Sequence, residues 1–304
     1  MTFGGQTSAA DAERMLGMFL EEGYTWVDTA FMYTEGRSET ILGRLLRGRR
    51  REKVFLATKA YPDKLGKGRP RGLTPGSVRG QLETSLRRLR MDYVDLLYLH
   101  APDNRTPLEI TLGACQELIR EGKVREIGLS NYASWQIAEA AFLCVQIDWT
   151  PPIIYQGMYN GITRAVEPEC IPACRHFGLD FIAYNPLAGG LLTGKHHDMS
   201  AIPAEGRFSN AYYRERFWKR EYFDAVTRLV SAARGARISL GEASLRWLLH
   251  HSQADGFLLG ASKIEHMRED LAACRKGSLP PVLVRAFDEA WEKTRAACQC
   301  YFRG

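Results

Sequence analysis

No apolar run in this 304-residue chain approaches the roughly 18 residues that a membrane-spanning helix needs, and no membrane partner is expected. The N-terminus has no charged-then-apolar signal peptide. Cysteine is sparse: seven residues, an odd number, with only Cys298 and Cys300 close together. That usage excludes a disulfide framework and suits a reducing, cytoplasmic setting. Cys170 and Cys174 have no second pair at zinc spacing, so both read as structural thiols and no metal is expected. No Gly-x-Gly-x-x-Gly turn follows an early strand, which argues against a doubly wound dinucleotide domain. The net charge of +6 is not gathered into a stripe with interleaved aromatics, so nucleic acid is not an expected partner. Its densest run, Arg44 to Lys53, reads as a solvated helix end, and the remaining excess suits an anionic cofactor or substrate.

What the chain does have is alternation. Apolar runs at Trp26–Ala30, Val54–Lys59, Tyr93–His100, Glu126–Leu129, Ile153–Gln156, Phe181–Tyr184 and Gly256–Leu259 read as strands. Between them, spacing of i, i+3, i+4 predicts helices over Ala9–Glu22, Ser38–Arg47, Pro75–Arg90, Leu108–Glu121, Ser134–Ile147, Val166–Phe177 and Leu240–His251. Repeated β-α units imply a parallel sheet under helices, and the expected fold is a single α/β domain over residues 1–304, a (β/α)8 TIM barrel. Such a barrel wants eight strands and seven are visible. The first is expected to be truncated at the N-terminus, where Met1-Thr2-Phe3-Gly4-Gly5 looks like the end of a strand, or to be replaced by those few residues. The longest irregular stretch, Gly194 to about Tyr213, follows a strand end, where barrel enzymes carry functional loops.

Four polar residues close separate apolar runs in the first third of the chain: Asp28, Tyr33 just beyond it, Lys59 and His100. The carboxyl ends of parallel barrel strands share one face, so these side chains are expected to meet. Together they suit carbonyl reduction. A phenol has a pKa near 10 and is a weak acid at neutral pH. An adjacent Lys59 ammonium is expected to lower it, with Asp28 holding the lysine by a charge-assisted bond. His100 is expected to orient the carbonyl or to supply a proton path at low pH.

At this point the chain resembles the aldo-keto reductases. Asp28-Thr29-Ala30-x-x-Tyr33, Lys59 and His100 match that family's catalytic tetrad, and Gly128-Leu129-Ser130-Asn131-Tyr132 matches its mid-barrel signature. Ser38–Gly43, Tyr155–Asn160 and above all Asn185–Lys195 look most like the aflatoxin-aldehyde and succinic-semialdehyde reductase branch. The resemblance covers nearly the whole chain, lacking the family's N-terminal hairpin and most of its first strand. It implies an oxidoreductase that uses NADPH to reduce a small aldehyde or ketone, with Tyr33 as proton donor.

The residues make physical sense in those roles. Met1 is counted among the cofactor-binding residues, and Ser130, Asn131 and Gln156 offer hydroxyl and amide groups for the nicotinamide carboxamide. Tyr184 offers an aromatic face. Asn185, Pro186, Leu187, Gly189 and Gly190 form a loop whose backbone can approach a pyrophosphate, with Lys195 and Arg207 supplying positive charge. Ser262 and Lys263 open a helix suited to a 2′-phosphate, followed by His266 and Asp270. Two departures from the family pattern stand here: His266 where many members have arginine or glutamine, and Asp270 where an adenine-contacting asparagine is usual. NADPH is still expected over NADH. On the substrate side the branch implies Tyr213, Arg216 and Arg303, whose arginines suit a carboxylate, with Trp218 and Phe31 as candidate apolar walls. A homodimer is implied by the same branch.

Fold alone does not settle function. A cofactor-binding regulatory or scaffold subunit related to potassium-channel β subunits is one alternative. A paralogue impaired by its incomplete first strand is another. The intact tetrad favours catalysis, because a binding module has no need of a tuned phenol.

Overall fold

The computed structural model describes residues 1–62 and 72–303. Seven strands form one parallel sheet in chain order: β1 (Trp26–Asp28), β2 (Phe55–Ala60), β3 (Val94–Leu99), β4 (Val124–Ser130), β5 (Ile154–Met158), β6 (Asp180–Tyr184) and β7 (Gly256–Phe257). Each overlaps an apolar run read from the sequence. Those runs lack alternation because a parallel sheet covered by helices is buried on both faces, and β3 is buried along its whole length.

Helices α1 (Ala9–Glu21), α2 (Arg37–Leu45), α3 (Arg49–Glu52), α4 (Pro75–Leu89), α5 (Leu108–Arg120), α6 (Ser134–Ile147) and α7 (Cys170–His176) alternate with the first six strands. The second part of the chain carries α8 (Ala211–Phe217), α9 (Arg220–Gly235), α10 (Leu240–His250), α11 (Ile264–Cys274) and α12 (Pro281–Thr294). Local chemistry sets the ends: Ser8 and Ser239 accept from the Asp11 and Glu242 amides at the starts of α1 and α10, and Pro75 opens α4.

The core has two layers. Inside the curve of the sheet, Ala57, Leu96, Tyr98 and Ile154 fill the barrel. Outside, a larger cluster joins the sheet to the helices, including Leu42, Leu82, Leu112, Ile171 and Trp247. Each fully buried leucine or isoleucine contributes about 1.5–3 kcal/mol, so this layering is the main stabilising term. Gly43 on α2 is required by close approach: a Cβ there would lie 2.3 Å from the Leu89 carbonyl oxygen on α4. That contact fixes the helix that follows Tyr33.

Four expectations need correction. The seventh helix starts at Cys170, not Val166, because Pro168 holds its predecessor out of helical backbone and residues 165–169 form turns. Arg220–Gly235 and Pro281–Thr294 are helices that the sequence reading did not assign. The basic run is not a wholly solvated end: Arg51 is largely buried, pairs with Asp95 at 2.8 Å and donates to the Val54 carbonyl. Residues 1–7 do not stand in for an eighth strand. Phe3 and Thr7 form an isolated bridge, and the Thr2 and Thr7 hydroxyls donate to the Ala261 carbonyl. Among the described residues β1 and β7 are therefore the two ends of the sheet.

Candidate active site

Register brings the strand ends level. Asp28 pairs across from Ala57, Lys59 from Tyr98, Ser130 from Gln156 and Met158 from Tyr184. His100 follows β3 directly, its amide donating to the Ala60 carbonyl at 2.9 Å. The four tetrad residues thus converge on one face. Lys59 is 0% exposed and donates to Asp28 Oδ1 and, at 2.8 Å, to the Thr29 carbonyl. The other carboxylate oxygen, Oδ2, accepts from Gln156 Nε2 at 3.0 Å. Lys59 Nζ sits 5.1 Å from the Tyr33 ring centroid and 5.4 Å from that of Tyr98. The His100 ring meets Tyr33 and Tyr61 edge-on, at 5.8 and 5.6 Å between centroids.

Tyr33 is held by a loop that needed more than the four residues to build. Thr34 and Glu35 adopt left-handed backbone, and the Thr34 hydroxyl donates to the Phe3 carbonyl and accepts from the Ser38 amide. Beneath the loop, buried Glu39 accepts from Arg88 at 2.9 Å and from Thr58 at 2.8 Å. Arg88 also donates to the Phe31 carbonyl at 2.8 Å and lies 4.7 Å over the Phe31 ring. Gly36, at φ 87°, admits that guanidinium, which a Cβ would strike at 2.3 Å. Glu39 and Arg88 were missed as site-building residues. The signal was Glu39 itself, a charged residue inside an otherwise apolar helix face.

The electrostatics reverse one expectation. The Tyr33 phenol is pushed well above its usual value, first by burial and then by the Asp28 carboxylate. Burial lowers the Lys59 ammonium, and Asp28 opposes that by attraction and a hydrogen bond. Asp28 thus favours the charged form of Lys59 while disfavouring a charge on the phenol, and burial sets the direction of both shifts. His100 is held neutral well below its ordinary range by burial and by the Lys59 and Arg303 charges, and its Nδ1 is buried without a hydrogen-bond partner. This argues against a proton path through His100 at mildly acidic pH.

A cavity of about 870 Å³ opens over this face, within the usual range for small-molecule sites, and its mouth includes Tyr33, His100, Tyr184, Arg207, Arg216 and Arg303. Met1, Ser130, Asn131, Gln156, Asn185, Pro186 and Tyr213 line it as well. The cavity also reaches the other ends of the strands, at Trp26, Ile154, Asp180 and Gly256. The polar residues expected to meet a carboxamide are already engaged. Asn131, at φ 62°, donates to Ser130 Oγ and the His100 carbonyl and accepts from the Tyr184 hydroxyl at 2.7 Å. That last bond fixes the Tyr184 ring at the rim. Arg207 donates to the Tyr213 hydroxyl at 2.8 Å and to Met1 Sδ at 3.5 Å.

The remaining expected residues lie farther out. Leu187, Gly189 and Gly190 belong to the turn after β6, where the glycines adopt φ of 70° and 106°. A Cβ on Gly190 would meet nothing closer than 4.0 Å, so a ligand can approach its backbone. Lys195 is exposed beyond that turn. Lys263 is the N-terminal cap of α11, with Ser262 before it and His266 and Asp270 on the helix. Burial and neighbouring Glu269 push the Asp270 carboxyl up to about 6. Trp218 and Phe31 are packing residues, Trp218 against Phe208 and Phe223 at 4.8 Å each and Phe31 under Arg88. Tyr212, which the sequence reading passed over, lines the cavity and receives both Arg216 and Arg303.

Comparison with known proteins agrees with this geometry. The model of the aldo/keto reductase family matches residues 1–292. Aflatoxin B1 aldehyde reductase member 2 of Homo sapiens is 48% identical over 320 residues, covering 100% of this chain and 88% of the relative. Aldo-keto reductase family 7 member A3 of Homo sapiens is 47% identical, covering 100% of this chain and 95% of the relative. A probable voltage-gated potassium channel subunit beta of Arabidopsis thaliana is 32% identical over 280 residues, covering 90% of this chain and 84% of the relative.

Proposed function

Because this chain belongs to the aldo/keto reductase family and is an oxidoreductase, we propose that it reduces aldehydes, acid semialdehydes among them, to alcohols with NADPH, with Tyr33 as proton donor. The observation that carries this reading is the buried Asp28–Lys59 pair beside the Tyr33 and His100 rings, at the mouth of a ligand-sized cavity. Such a pair is costly to bury and serves no purpose in a passive cavity wall.

The residues fit a dinucleotide. The Gly190 backbone is open to a phosphate, Arg207 and Lys195 bring positive charge, and the Tyr184 ring is fixed at the rim by Asn131. Ser130, Asn131 and Gln156 would hold the carboxamide, and Ser262 and Lys263 a 2′-phosphate at the start of α11, beside His266 and Asp270. When bound, that cofactor supplies hydride to the carbonyl carbon. Everything else is work for the chain. His100, as a neutral imidazole, offers one N–H to the carbonyl oxygen and orients it. Tyr33 keeps its proton throughout the neutral range and gives it to the developing alkoxide. The Lys59 ammonium stabilises the phenolate left behind, and Asp28 keeps Lys59 charged in its buried place.

Arg216 and Arg303 extend the reading to substrates that carry a carboxylate. Replacing Arg216 with alanine should raise KM for succinic semialdehyde roughly tenfold, and more than for 4-nitrobenzaldehyde, the loss of one charge-assisted bond. Steady-state kinetics with both aldehydes checks this, and equal effects would remove the clamp. NADPH oxidation with the same two aldehydes tests the reductase itself. Tight cofactor binding without turnover would instead favour a regulatory subunit, the reading that the potassium-channel relative keeps open.

A homodimer completes the proposal. Helix α6 is apolar on nearly every side, and its outer face leaves Trp135, Phe142 and Val145 at 64%, 61% and 78% exposure. A helix of that composition is ordinarily covered. Sedimentation equilibrium should show a dimer that Phe142→Lys converts to monomer; a monomeric native protein would remove this part of the proposal.

A further inference from the structure

Two guanidinium groups meet on one phenol at the cavity mouth. Arg216 Nη2 and Arg303 Nη2 both donate to the Tyr212 hydroxyl oxygen, the second at 2.5 Å. The same guanidinium groups lie 4.1 and 5.6 Å from the Tyr212 ring centroid. They come from distant parts of the chain. Arg216 is one turn along α8 from Tyr212, whereas Arg303 is held in place by its own amide, which donates to the Asn131 carbonyl at 3.0 Å.

Neither arginine has a carboxylate partner among the described residues, and the Nε of each is buried without any acceptor. Arg216 is 8% exposed and turns its remaining donor, Nη1, to the soft Met158 sulfur at 3.7 Å. Two cations therefore share one neutral oxygen and leave strong, fork-shaped donors unused. A carboxylate is the ligand whose charge and paired oxygens suit such a fork. Arg303 also acts on His100, whose neutrality it helps to hold, which places its charge at the catalytic end of the cavity.

The geometry points to Tyr212 as a displaceable stand-in for the substrate carboxylate, a specificity-determining residue that masks the two arginines until an acid substrate takes its hydroxyl's position. The inference rests on the proposed carboxylate role of Arg216 and Arg303 and adds a competitor inside the protein. Tyr212 is suited to leave: it is 41% exposed, at the first turn of a seven-residue helix, while Arg216 is buried and Arg303 half-buried. With its hydroxyl seated, the guanidinium N–H groups that face the mouth are occupied. With it displaced, the same donors and their two charges are open to an acid substrate. Discrimination then comes from a contact that must be broken as well as from one that forms.

The test is succinate binding to the full chain by isothermal titration calorimetry, alongside kinetics with succinic semialdehyde and 4-nitrobenzaldehyde. Tyr212→Phe deletes only the competing oxygen. It should tighten succinate binding roughly three- to tenfold and shift the ratio of the two KM values toward the acid substrate by a similar factor, the loss of one hydrogen-bonded competitor. Tyr212→Glu, which seats a carboxylate permanently, should abolish succinate binding. Weaker or unchanged binding in Tyr212→Phe would overturn the proposal, because Tyr212 would then be a scaffold for the arginines. Succinate binding indifferent to Arg216→Ala would remove the clamp and this inference together. Dependence on Arg216 with no response to Tyr212→Phe would remove this inference alone.

Discussion

Tyr33→Phe should lower kcat for aldehyde reduction by about 10²–10⁴, the span of a lost general acid, while NADPH still binds. The substitution deletes one oxygen and leaves the ring in place against His100 and Lys59. Stopped-flow single turnover separates the chemical step from cofactor binding, and unchanged turnover would take Tyr33 out of the mechanism. The pH profile adds a second check. The phenol is raised above its ordinary value of 10.0, so it is protonated below that pH. His100 is lowered from its ordinary 6.5, so it is neutral above that. Both groups are then in their working forms from about pH 6.5 to 10, and kcat/KM should be flat across that window. A bell centred near neutrality would show that one of these directions is wrong in the working enzyme.

Lys59→Met should be damaging in a different way. Lys59 is fully buried, and its removal leaves Asp28, among the described residues, with the Gln156 amide as its side-chain partner. Breaking a buried pair costs about 3–5 kcal/mol, because one charge remains without compensation. For a chain of this length that lowers Tm by on the order of 10 °C, with activity lost as well. The double variant Lys59→Met/Asp28→Leu removes both charges and should recover most of the Tm while remaining inactive. Thermal denaturation of the two variants decides it. If the double variant is as unstable as the single one, the loss is one of packing, and the uncompensated charge is not its cause.

Much of this was legible without coordinates, for a physical reason. A strand buried on both faces must be a continuous apolar run, so β2, β3 and β6 were visible as such, and the polar residue closing each run marked the reactive face. Parallel alignment does the rest, placing Asp28, Lys59 and His100 level across neighbouring strands. Helices α9 and α12 were less visible because they pack on each other outside the regular β-α alternation that guided the reading. Partners that meet only through the fold were also hidden. Glu39 and Arg88 are 49 residues apart, and Tyr212 and Arg303 are 91. The resemblance points to Tyr213, whose hydroxyl accepts from Arg207, and carries no signal for the neighbouring Tyr212, which receives the two arginines. The direction of the Tyr33 shift depends on depth of burial, which spacing does not encode.

The unequal support of the tetrad has a mechanical consequence. Lys59 stands on β2, which is bonded to a strand on either side, whereas Asp28 ends β1, which is bonded on one side only among the described residues. A ring with one gap is most compliant at the gap, so strain introduced at the cavity mouth is taken up by splaying β1 rather than by shifting β2. The carboxylate is the yielding partner of the pair and the ammonium the fixed one. Gln156, which reaches Asp28 from β5 on the far side of the barrel, is the brace that limits the movement.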